Sequence, residues 1–76
     1  MSETAIQKAV RLAGGQSALA RAIGVTQGAV WKWLNNFQKV SPENAVAISI
    51  ATRGEVKPYE LRPDIPLVFP QPAEGD

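Results

Sequence analysis

The chain contains no cysteine and no histidine. Without a thiol or an imidazole it has no disulfide, no thiolate nucleophile, no histidine general base and no zinc site of the usual nitrogen and sulfur kind. No apolar run approaches the roughly 20 residues needed to span a bilayer, and the opening MSETAIQKAV lacks the charged and apolar regions of a secretory signal. These absences predict a cytoplasmic chain with no membrane partner and no cofactor. Length excludes more: 76 residues can build one core but not a large catalytic scaffold. What is present, 45% hydrophobic and 20% charged residues, suits a small globular domain rather than a disordered tail.

Acidic residues are also missing from one half of the chain. Positions 4–42 carry Lys8, Arg11, Arg21, Lys32 and Lys39 with no carboxylate, a charge of +5, whereas positions 43–76 carry six acids against three bases, a charge of −3. Glu3 brings the total to +1. A stretch of 39 residues without an acid is what a surface kept clear for a polyanion requires, because one exposed carboxylate repels nearby phosphates.

Periodicity predicts an all-α fold, a small bundle of four to five helices containing a helix-turn-helix and followed by an irregular proline-rich tail. Ile6, Ala9, Val10 and Ala13 give a first helix over 4–13 its apolar stripe. Thr4 and Gln7 match a capping box, and Gly14 and Gly15 stop the helix. A second helix is expected over 16–23, with Leu19, Ala20 and Ile23 inward. Thr26 can cap a third over 27–35, and Ser41, Pro42 and Glu43 together form a strong start for a fourth that runs to 52. Apolar side chains surround most of that fourth helix, which predicts a central core position or, alternatively, an outer stripe against a second subunit. Five prolines after Lys57 leave room for only a short helical turn over 59–61. The expected organisation is a helical domain over 1–65 and a tail over 66–76, with 71–76 disordered and part of the apolar set from Tyr59 to Phe69 packed inward.

The segment QSALARAIGVTQGAVWKWLNN, positions 16–36, has the pattern of a helix-turn-helix. Ala20 must be small where the next helix crosses, and Gly24 supplies the positive φ of a tight turn. Val25 and Val30 wedge between helices crossed at roughly 90 to 120°. Outside this apolar set stand Thr26, Gln27, Gly28, Trp31, Lys32 and Asn35. Glutamine can pair bidentately with adenine and lysine can donate to guanine, so Gln27 and Lys32 are candidates for reading bases in the major groove. Gly28 has no side chain to hold the helix off the base edges, or else simply follows a capped first turn. Trp31 is expected to be exposed, against thymine methyls or the sugar-phosphate wall; the alternative is an indole folded back onto the second helix. Phosphate contacts are assigned to Gln16 and Ser17 at a helix N-terminus, and to Thr26, Asn35, Lys39 and Arg21, with Lys8 a weaker candidate. Glu55, Glu60 and Asp64 stand beside Lys57 and Arg62 as solvated residues, not as an acid and base pair, so no catalytic residue is expected.

At the level of families, ALARAIG followed by GVTQGAVWKW, together with VSPENAVAISIATRGEVKPYELRPDI, resembles the Cro-like prophage regulators grouped with the YdaS antitoxin type. The resemblance covers 16–65, and its most specific part is A-T-x-G-x-V-x-x-Y-E-L-R-P-D-I, Ala51 to Ile65. It implies a sequence-specific repressor of double-stranded DNA, usually acting as a homodimer on short operators, with Gln27, Gly28, Trp31 and Lys32 at base-reading positions and Gln16 clamping a phosphate. Within such a family the other expectation is an antitoxin that controls its own promoter and holds a cognate toxin through the apolar C-terminal segment. A protein-interaction module without DNA binding is a third reading, disfavoured by the acid-free half.

Overall fold

Three of the helices begin where a short-range side-chain cap dictates. The structure, a computed structural model, describes residues 3–70. The Thr4 hydroxyl accepts from the Gln7 amide at 3.1 Å, and Gln7 Oε1 accepts from the Thr4 amide at 2.8 Å, which opens α1 (Ala5–Ala13) with a complete capping box. Two glycines with positive φ, Gly14 and Gly15, turn the chain directly into α2 (Gln16–Ile23). Thr26 caps α3 (Gln27–Leu34) through the Ala29 amide, and Ser41 caps α4 (Pro42–Ala51) through the Asn44 amide. A single turn, α5 (Pro58–Leu61), follows, with the Glu60 carboxylate accepting from the Lys57 amide at 2.8 Å. It starts one residue before the expected 59–61 because proline at the first helical position gives up no hydrogen bond. Asn35 and Thr52, expected as the last residues of the third and fourth helices, are caps. The described residues are therefore all-helical, five helices without a strand.

The core joins Ile6 and Ala9 of α1, Leu19 and Ala20 of α2, Val30 and Trp33 of α3, and Ala45 and Ile48 of α4 with Val40 and Val56 from the loops. α2 is the central helix, packed against α1, α3 and α4. This corrects the expectation for α4, which meets α2 and α5 and leaves Val46 and Ile50 exposed. Buried Val40 pins the loop that leads into α4 to the core, and α4 packs through Ala45 and Ile48. After α5 the apolar residues divide: Leu61 and Phe69 pack on the core, while Leu67 and Val68 remain exposed. No helix among the described residues is long and apolar enough to cross a membrane. Residues 71–76, expected to be disordered, lie outside the described residues.

Candidate nucleic-acid interface

The turn between α2 and α3 places one polar face of α3 outward. Gly24 adopts the left-handed conformation with φ 76°, and the Val25 amide donates to the Ala20 carbonyl at 2.9 Å. Ala20 is buried at this crossing, and Val30 and Trp33 are buried on the inner side of α3. Gln27, Gly28, Trp31, Lys32 and Asn35 are all exposed, and their spacing of one, three, one and three residues keeps them on a single stripe.

Along that stripe, the expected site residues meet different partners. Gln27 Oε1 accepts from the Ser17 hydroxyl at 3.0 Å, so the first turns of α2 and α3 are tied together. The carbonyl keeps a second lone pair and the amide both its donors. Gly28 has ordinary helical backbone, and a Cβ there would meet only Thr26 Oγ1 at 3.9 Å. A side chain at this position would therefore meet no steric obstacle inside the chain. Thr26 accepts from the Ala29 amide, and its hydroxyl proton remains available to a further acceptor. Gln16 is half-buried at the start of α2, whose first-turn amides receive no side-chain cap because Gly15 precedes them. The Asn35 amide donates to the Trp31 carbonyl at 2.9 Å, closing the end of α3.

The indole of Trp31 does not fold onto α2. It stacks on Phe37, ring centroids 5.4 Å apart and planes 12° apart. The cause lies in how α3 stops: Asn36 takes a left-handed conformation with φ 60°, the Phe37 amide donates to the Lys32 carbonyl, and the Asn36 amide donates to the Trp33 carbonyl. These are the paired bonds of a Schellman stop, in which the residue after the left-handed one packs back on the last turns of the helix. Phe37 escaped the sequence reading, although Asn36 followed by an aromatic residue after a helix was a usable signal for it.

Charges are also rearranged by the fold. Glu3 and Asp64, which lie outside the acid-free stretch in sequence, return to two of its cations. Arg11 pairs with Glu3 at 2.9 Å, and Lys39 pairs with Asp64 at 3.2 Å. Asp64 also receives a two-pronged contact from Arg62, which in turn donates to the Val40 carbonyl. The Arg62 hydrogen bonds hold the Asp64 carboxyl well below the usual carboxylate range, with Lys39 adding to the effect. Likewise the Arg11 hydrogen bond lowers Glu3. Lys8 donates to the Glu55 carbonyl. Lys39 is thus partly neutralised where an unpaired phosphate ligand was expected. Arg21 and Lys32 make no ion pair among the described residues.

A family profile described as "Bacterial toxin YdaS" matches residues 6–68, nearly the whole of this architecture. The chain belongs to the YdaS family. A YdaS relative from Escherichia coli (strain K12), named "Putative transcriptional regulator YdaS", is 46% identical over 59 residues, which are 78% of this chain and 60% of the relative. The chain therefore spans about three fifths of that relative's length. No solved structure matches the chain significantly. YdaS membership bears out the resemblance carried by the helix-turn-helix segment and the Ala51 to Ile65 pattern. The two YdaS descriptions name different activities, toxin for the family and regulator for the relative.

Proposed function

We propose that the chain is a sequence-specific DNA-binding transcriptional regulator, a Cro-like repressor of phage or prophage type that reads operator half-sites in the major groove through α3. The observation that carries this reading is the outward stripe of α3. Gln27, Gly28, Trp31 and Lys32 stand exposed on it, and beside it the first-turn amides of α2 are left uncapped. Such amides suit a phosphate, which would fix the register of α3 while its side chains read base edges. The relative's name supports the same role. The protein acts by binding, not as an enzyme.

Few cations are available to one copy, so useful affinity at physiological salt calls for two copies on half-sites about one helical turn apart. The exposed Val46 and Ile50 of α4 support pairing as a homodimer. Selection of binding sites from a random duplex library at physiological salt tests the reading. An inverted repeat is expected, and Gln27→Ala is expected to relax one base position in each half-site at a cost of about 1–3 kcal/mol. A folded protein that enriches no duplex would sink the repressor reading.

A second reading, an antitoxin holding a toxin, draws support from Leu67 and Val68, which are exposed while neighbouring Phe69 packs inward. Copurification of a partner with the natural chain, lost on replacing Leu67 and Val68 by serine, would favour it. These two positions serve better than a truncation, which would also remove Phe69 from the core.

A further inference from the structure

The Trp31–Phe37 stack has a feature that the helix stop alone does not explain. A Schellman contact ordinarily shelters its apolar partners, yet here Phe37 is 73% exposed and Trp31 48% exposed. Two stacked rings on the surface form a contiguous apolar patch of the kind that marks an interaction site. Its surroundings identify the occupant. Trp31 belongs to the same outward stripe as Gln27, Gly28 and Lys32, and the chain from 4 to 42 carries no carboxylate. An apolar patch continuous with a cationic, hydrogen-bonding stripe matches the major groove of a duplex, where the thymine 5-methyl is the apolar group among base-edge donors and acceptors.

We propose that Phe37 is a specificity-determining residue of the DNA-reading face. Its ring holds the Trp31 indole outward, and the two rings act as one apolar plate against a thymine methyl at the edge of the sequence read by α3. This rests on the DNA-binding reading above and adds to it a residue outside α3 and a stated base feature.

The test uses the duplex enriched by the full chain and a set of duplexes in which each thymine is replaced in turn by uracil, which removes only the methyl. Wild-type protein is expected to bind about fourfold more weakly when the contacted thymine becomes uracil, the effect of one buried methyl. Phe37→Ala is expected to bind the thymine and uracil duplexes alike, while Phe37→Tyr, which preserves the stack, keeps the preference. Thermal melting checks that each variant is folded, and Phe37→Gln replaces Phe37→Ala if the latter is not. The proposal is overturned if no uracil substitution weakens the wild type, or if folded Phe37→Ala keeps the wild-type preference. It is equally overturned if Phe37→Ala lowers the sedimenting mass with DNA binding unchanged, since the plate then joins two chains. Base preference altered by Gln27→Ala, with the methyl preference intact in Phe37→Ala, would sink this inference alone. Absence of any enriched duplex would sink the DNA reading and this inference together.

Discussion

Thr52 is the buried polar side chain of the core, and three hydrogen bonds explain its position. Its hydroxyl lies 2.9 Å from the Ile48 carbonyl and 3.2 Å from that of Ser49, and accepts from the Val56 amide at 3.2 Å. The side chain thereby ends α4 and anchors the loop that carries fully buried Val56. Thr52→Val keeps the branched shape but leaves the Val56 amide without an acceptor, a cost of about 1–3 kcal/mol. For a domain of this size each kcal/mol lowers the midpoint by roughly 4–8 °C. A thermal melt should show that drop, and an unchanged midpoint would mean that water or a shifted backbone satisfies the amide. Sequence alone did not single out Thr52, because the burial of its hydroxyl depends on how the loop after α4 returns to the core.

At the scale of helices, starts were legible and ends less so. The pairs Thr4 with Gln7, Thr26 with Ala29 and Ser41 with Asn44 all act across three residues, so local sequence is enough to specify them. Two helix ends instead use residues other than glycine in the left-handed conformation, Asn36 with φ 60° and Arg53 with φ 55°. Asparagine tolerates this region, whereas arginine carries a steric cost of roughly 1–2 kcal/mol there. Arg53→Gly removes that cost and returns about 0.5–1 kcal/mol of it as backbone entropy in the unfolded chain. The expected outcome is a modest net gain, read as a raised midpoint in denaturant with an unchanged slope. A lowered midpoint would show that the Arg53 side chain contributes more than its backbone costs. The same kind of ending, at Asn36, is what brings Phe37 onto Trp31.

For the whole molecule, the acid-free half of the sequence overstates the cations left for a partner. Glu3 and Asp64 return in space to Arg11 and Lys39, and Lys8 reaches a carbonyl. Asp64 also joins the loop before α4 to the segment after α5, through Lys39 and through Arg62 on the Val40 carbonyl. Its folded-state pKa is depressed, so the stability it contributes is fully present above the unfolded value of about 3.9 and is lost as pH falls below that value. Wild type should therefore melt above Asp64→Asn near neutral pH, and the gap should narrow progressively as the pH is taken below about 4. A gap as wide at pH 2 as at neutral pH would assign the stabilisation to something other than the charged carboxylate. Pairing of chains also belongs to this scale: Ile50→Asp, at an exposed position of α4, is expected to leave the fold intact while reducing the sedimenting mass and the affinity for an inverted repeat. An unchanged mass would remove α4 from the contact proposed between two copies.

Sequence by itself determined four to five helices, the side-chain caps that open α1, α3 and α4, the helix-turn-helix with small Ala20 and left-handed Gly24, and the outward stripe from Gln27 to Asn35. All of these depend on neighbours within a few residues and on the helical period, so they need no knowledge of the fold. Tertiary structure alone decided that α2 and not α4 is central, that Lys39 meets Asp64 across 25 positions, that Ser17 reaches Gln27, and that Phe69 packs while Leu67 does not. Each of those outcomes turns on which surfaces are brought together by the turns, a long-range consequence of packing that no local pattern encodes.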